Sequence, residues 1–443
     1  MPLDEESTLA APARAEEPTA QRSTRIRWYG GAIIFIICFV AYLDRIVFSV
    51  SASPMMAALH ISPVQFGLAT TLFNIGYFVC QIPSAVMIRR VGTRRAMTVA
   101  FLAWSICTGL TGLANSFLLL AVVRTLFGAG EAPVFPAANS FFADWFPSKE
   151  RGRANSLMNA GAFLGPALGA VLLVPIIQAV GWQGGFFICA ILGFVLTAVW
   201  YLFMRDRPSQ HRLVNSAEID LIALGSDTVA SPERAPWGLF LRKRSFWMLA
   251  LGFFGTLWTI QFFIYWLPYY LQKGLHVPFG SIGGFTSLSF VAITVSVMVA
   301  GVVSDKLLTS GRRRYQARNL VAVAGLAIAA VCLVMSTTSQ NVLVSVIWLS
   351  AALGGAGVAQ TLAWTIATDI GRAYTAAVGS WMNAWGFVAA AIVPTVAPII
   401  AQQFGWTNVI VLNAAMAVAG IVGFLLTTSD RPLVADQPAV APQ

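Results

Sequence analysis

Charge is scarce in this chain. Only 10% of its 443 residues are Asp, Glu, Lys or Arg, where a soluble domain carries about 25%, and 57% are hydrophobic. That composition excludes a soluble globular domain and leaves an integral membrane protein. The apolar stretches are near-continuous and show no period-2 alternation, which excludes a membrane β-barrel. Histidine occurs three times, as His60, His211 and His276, each alone in a predicted loop. With no nucleophile–base pair, metal cluster or phosphate loop beside them, neither an enzyme nor a cofactor or metal site is expected. The five cysteines, Cys38, Cys80, Cys107, Cys189 and Cys332, fall inside apolar stretches without a CxxC pair and read as reduced, packed small hydrophobes. Residues 1–27 lack a short apolar core with a small-residue cleavage site, so they read as a disordered cytoplasmic tail and not a signal peptide.

What the chain has instead is membrane-crossing length, about 20 apolar residues, many times over. Such runs cover approximately 28–50, 64–88, 96–115, 118–142, 154–178, 184–204, 246–271, 281–304, 318–338, 341–368, 374–401 and 406–428. The expected fold is therefore all-α, with twelve transmembrane helices in two pseudo-symmetric halves, 28–204 and 246–428. A polar segment at 205–245 reads as a cytoplasmic linker and 429–443 as a cytoplasmic tail. Lys and Arg crowd the junctions after the even-numbered runs, from Arg89 and Arg90 to Arg312, Arg313 and Arg314, while the odd-numbered junctions carry Lys273 alone. Both termini are expected in the cytoplasm. This placement accounts for the net charge of +10 without invoking nucleic acid. The basic loop at 89–95 is echoed by Asp305, Lys306 and 312–314 after the eighth run, as in a duplicated, rocker-type transporter unit.

Within the runs, formal charge sits deep at four places, all in the first half: Asp44, Arg45, Arg124 and Glu131. Charge at bilayer depth costs at least a few kcal/mol and marks function or pairing. Arg124 and Glu131 are seven apart, about 10 Å along one helix face. Two readings stand side by side. The four groups lock the first helix to the fourth as ion pairs, or they form a working site in which a carboxylate's proton affinity depends on its partner. Arg45 and Arg124 offer planar forks suited to an anionic substrate. Tyr77 and Gln81 share a face of the second helix and could meet a hydroxylated ligand, or merely pack. The second half offers Gln261, Tyr265, Gln360, Trp364, Trp381, Asn383 and Trp385: shape and aromatic walls rather than charge.

Several motifs carry a resemblance. They are Tyr42-Leu43-Asp44-Arg45, the loop Arg90-Val91-Gly92-Thr93-Arg94-Arg95, and the stretch from Arg124 through Gly128, Gly130 and Glu131 to Trp145-Phe146-Pro147 and Glu150-Arg151-Gly152-Arg153. Trp266-Leu267-Pro268 with Tyr270-Leu271 adds to them. Over residues 28 to about 428 the chain resembles the major facilitator superfamily, and within it the anion:cation symporter family. The resemblance implies uptake of a sugar acid or other small carboxylate, aromatic acids included, with protons, across a bacterial inner membrane. It implies Asp44 and Glu131 as proton-coupling carboxylates, Arg45 as the substrate ligand and Arg124 as the partner tuning Glu131. Tyr42, Tyr77, Gln81 and Asn383 match substrate contacts, with Trp364 and Trp385 as walls; Gly92, Arg90, Arg94 and Asp305 match the gating loops. Two departures stand out: Ala85 and Arg89 replace the usual glycine and aspartate of the first gating loop. The expected partners are a small organic anion, protons and the lipid bilayer, and the expected state is a monomer. Proton-driven efflux and a membrane receptor are the rival readings.

Overall fold

The computed structural model describes residues 23–224 and 235–434. The tail readings for 1–22 and 435–443, and the middle of the linker at 225–234, lie outside the described residues.

Twelve helical spans cross the described chain. The first six are Ile26–Val50, Pro63–Val91, Thr93–Gly112, Phe117–Trp145, and the two parts of Ser148–Phe203, which breaks at Gly181 into 148–180 and 182–203. The second six are Arg244–Lys273, Phe279–Thr309, Tyr315–Thr338, Val342–Gly371, Thr375–Phe404 and Trp406–Leu426. Local chemistry sets the ends. Ser62 and Gln65 form a capping box in front of Pro63, and Ser116 and Asn341 cap the fourth and tenth spans. Gly181 has φ of +75°, a turn that only glycine makes without strain. Apolar side chains such as Ile82, Leu118 and Leu202 stand 70–79% exposed, which is unfavourable in water and natural against lipid tails.

The spans alternate in direction, so the junctions rich in Lys and Arg share one face, called here the basic face. On it, the linker helix Ser216–Leu224 docks against the start of the first span. Glu218 accepts hydrogen bonds from the Thr24 hydroxyl at 2.6 Å, from the backbone N–H groups of Ile26 and Arg27, and from the Arg27 guanidinium at 2.8 Å. Arg27 also pairs with Glu150 at 2.8 Å. The first helix thus begins at Ile26 and its entry is clamped, where the sequence reads as free tail. The linker is tied to the first half by a carboxylate at a helix N-terminus, an arrangement that favours negative charge. Burial alone would raise the Glu218 pKa, but the hydrogen bonds from Thr24 and Arg27 prevail and hold it below the ordinary glutamate value. A lowered folded pKa means that the clamp's stability is present above the ordinary glutamate range and is lost as pH falls through the lowered value. Glu218→Ala is expected to cost about 3 kcal/mol at neutral pH, and its deficit in thermal unfolding should shrink below about pH 4.

The halves meet along the first span against the seventh, the second against the eleventh and the fifth against the eighth. Five hydrogen bonds join them toward the far face, opposite the basic one. Asn74 donates to the Ala390 carbonyl at 2.9 Å and accepts from the Tyr265 hydroxyl at 3.2 Å. Thr71 donates to Ala391 and meets the Thr395 hydroxyl, and Ser49 donates to the Tyr265 carbonyl. Proline explains one acceptor. Pro394 has no N–H for the Ala390 carbonyl four residues earlier, so that carbonyl is free to be taken across the interface.

Candidate functional site

Asp44 and Arg45 are neighbours on a helix and so point about 100° apart. Their surroundings differ accordingly. Asp44 turns to the third span, where one oxygen accepts from the Trp104 indole N–H and lies 3.4 Å from the Thr108 hydroxyl. Its other oxygen has no hydrogen-bond partner. Arg45 turns to the centre of the bundle, where its Nη2 and Nε donate to one oxygen of Glu131 at 2.7 and 3.2 Å. The second Glu131 oxygen is unpartnered. This pair ties the first span to the fourth. The guanidinium also lies 4.7 Å from the Tyr42 ring centre, 5.3 Å from Phe73 and 5.7 Å from Tyr77.

Arg124 makes no hydrogen bond to Glu131. It is wholly buried, its three side-chain nitrogens have no hydrogen-bond partner, and its guanidinium stands over Phe48, Phe73 and Phe127 at 4.1 to 4.8 Å. A spacing of seven does place Arg124 and Glu131 on one face. The aromatic box takes the arginine, however, through cation–π contacts that strengthen when desolvated, and Glu131 is left to Arg45.

A cavity of about 1200 Å³ lies between the halves. Its wall draws on the basic-side parts of the fourth, fifth, eighth, tenth and eleventh spans, and the halves close toward the far face, so it opens to the basic face. Tyr42, Arg45, Tyr77, Gln81, Asn383 and Trp364 all line it. Arg45 is the one charged side chain on the wall among the described residues. Asp44, Glu131 and Arg124 stand behind the wall. Trp385 is not on it: two residues from Asn383 it takes the other side of the helix, against Trp381 and Trp247. Sequence reasoning missed Asn139 and Asn159, which join Gln81, Gln261, Gln360 and Asn383 to give six carboxamides on a wall that carries one guanidinium.

The gating-loop residues hold their own halves together in this conformation. The Arg94 backbone N–H donates to Asp206 at 2.8 Å and its guanidinium to the Tyr201 carbonyl. Gly92, at φ +84°, leaves room for the Asp206 carboxylate that a Cβ would meet at 2.6 Å. Asp305 pairs with the buried Arg318 at 2.8 Å. Arg89 and Arg90 are exposed.

Two six-helix halves around a central cavity open to one face define a membrane carrier that works between its halves. The family model for the Major Facilitator Superfamily matches residues 34–394, and the chain belongs to that superfamily: it is an integral membrane transporter and not an enzyme. It is 27% identical to a probable L-galactonate transporter of Escherichia coli K12, over 96% of each chain. It is 28% identical to the probable sulfoacetate transporter SauU of Cupriavidus necator, over 90% of this chain and 94% of that one. In fold it is similar to a bacterial homologue of the human lysosomal transporter Spinster, solved inward-facing, with a TM-score of 0.76 at 18% identity, covering 93% of this chain and 99% of that one.

Proposed function

We propose that the protein imports a small organic anion, a carboxylate, together with protons across the bacterial inner membrane. The observation that carries this reading is Arg45, a buried fork on the wall of an otherwise uncharged cavity, held from behind by the buried Glu131 carboxylate. The relatives named for galactonate and sulfoacetate support the sign of the cargo. The basic face is cytoplasmic by its Lys and Arg, so this conformation faces inward. While Glu131 is ionised it occupies two donors of Arg45. A proton on Glu131 removes the charge that holds the pair, and the fork is free to take the carboxylate of the cargo in a bidentate contact. Asp44 is a second proton site on the seam with the third span, and Arg124 supplies fixed positive charge behind the wall. Rocking of the halves exposes the site alternately, and one chain builds the whole cavity.

The test is reconstitution in liposomes with an internal pH dye, screening D-galactonate, benzoate and short aliphatic acids for acidification of the lumen. Glu131→Gln is expected to keep anion counterflow and lose anion-driven acidification by about tenfold or more, the scale of a 1.4 kcal/mol change. Proton-driven accumulation at the wild-type level in that variant would remove Glu131 from the coupling step.

A further inference from the structure

The cavity continues past Arg45. A blind extension of about 110 Å³ runs on toward the far face between the fifth, seventh and eighth spans. The residues it adds to the main wall are Ala162, Pro166, Ile260, Ile264, Phe290 and Ile293, all of them apolar. Farther on the path is shut, where Gly283 packs so closely on the Ala170 carbonyl that a Cβ would meet it at 2.7 Å.

At the neck between the two spaces stand the polar side chains of Arg45, Gln261, Gln360, Tyr42 and Asn159, which line both. The carboxamide oxygens of Gln261 and Gln360 are buried and have no hydrogen-bond partner. Gln261 is only 6% exposed. A buried acceptor left unpaired is unfavourable, and a donor on a ligand relieves it. The neck therefore asks a ligand for negative charge and a hydrogen-bond donor side by side, and the blind end asks for apolar volume. A polyhydroxylated chain pushed into the blind end would lose its hydrogen bonds to water with nothing in exchange. An apolar cavity of about 150 Å³ takes a benzene molecule, so 110 Å³ suits a branched alkyl group.

From this geometry, and resting on the organic-anion reading above, we infer that the cargo is a 2-hydroxy carboxylate with a branched apolar side chain. Its carboxylate lies on Arg45, its hydroxyl donates to Gln261 or Gln360, and its side chain fills the blind end.

The experiment is calorimetric titration of the purified full-length protein with 2-hydroxyisocaproate, with isocaproate, which lacks the hydroxyl, and with D-galactonate. The expected result is that 2-hydroxyisocaproate binds at least about tenfold more tightly than either. Ala162→Leu, which grows into the blind end, should cut its preference over D-galactonate by about tenfold or more; if that variant is not monodisperse, Ala162→Val takes its place. Gln360→Leu combined with Gln261→Leu should erase the preference over isocaproate. A preference for 2-hydroxyisocaproate that survives Ala162→Leu overturns the inference, because the extension is then only a void left by closure. D-galactonate binding more tightly, and lost in Arg45→Lys, which keeps a charge beside Glu131, overturns the inference and leaves the organic-anion reading standing. No binding of any of the three acids, either to the wild type or to Glu131→Gln, whose Arg45 fork is free, overturns both.

Discussion

Arg45→Lys is expected to lower anion-driven transport by about 100-fold, while the same loss in Arg45→Ala comes with a damaged protein. The difference follows from what each change leaves behind. Arg45 donates from two nitrogens to a fully buried Glu131. Lysine keeps the charge near the carboxylate, so the first and fourth spans stay joined. It cannot present two parallel donors to a cargo carboxylate, and a lost charge-assisted fork is worth roughly 2–3 kcal/mol or more. Alanine strands the Glu131 charge in a dry interior, which costs about 3–5 kcal/mol. The double variant Arg45→Ala with Glu131→Gln removes the stranded charge and should recover most of the thermal stability without recovering transport. That pattern separates a site from a structural lock. Recovery of transport in the double variant would mean that the pair serves only to hold two helices together.

The parts of this site that were legible in the sequence are those fixed by helix periodicity. Twelve spans follow from twelve runs of sufficient length. That Arg45 and Asp44 serve different neighbours follows from 100° per residue; the same rule puts Trp385 and Asn383 on different sides of their helix, against the expectation that both face the cavity. Periodicity gives the face of a residue but not which of two suitable partners wins it. Arg124 and Glu131 share a face, and nothing local in the sequence indicates that Phe48, Phe73 and Phe127, from three different spans, converge on the arginine. The carboxamide wall escaped for a related reason: Asn139 and Asn159 are unremarkable on their own helices and acquire meaning only when the halves face each other. The Glu218 clamp was invisible because it joins residues 191 positions apart in the chain, across a linker whose composition reads as tether.

Gly67→Leu is expected to abolish transport for the opposite reason, by preventing one conformation rather than by emptying a binding contact. Gly67 of the second span packs against the eleventh at Pro394. A Cβ there would run into the Pro394 carbonyl and lie 3.2 Å from the Cα of Thr395. Both are backbone, and neither can swing aside as a flexible side chain would. The same stretch of the eleventh span is pinned by bonds that its prolines make possible. Pro398 has no N–H for the Pro394 carbonyl, which takes the Trp266 indole instead at 3.1 Å, while Ala390 takes Asn74 across the halves. A leucine at 67 must therefore separate the halves where they now close. Overpacking of a rigid contact costs about 1–3 kcal/mol, and a bias of 3 kcal/mol shifts a two-state equilibrium by more than 100-fold. Only the conformation closed at the far face is destabilised, so the balance shifts by that amount toward its counterpart, with the cavity shut at the basic face. In a cysteine-free background, maleimide labelling of Asn159→Cys from the basic face should fall by tenfold or more on adding Gly67→Leu. The protein should remain folded, because the overpacked contact exists in only one of its two conformations. Unchanged labelling with transport lost would place the damage inside the first half and separate the Gly67–Pro394 contact from the closure of the far face.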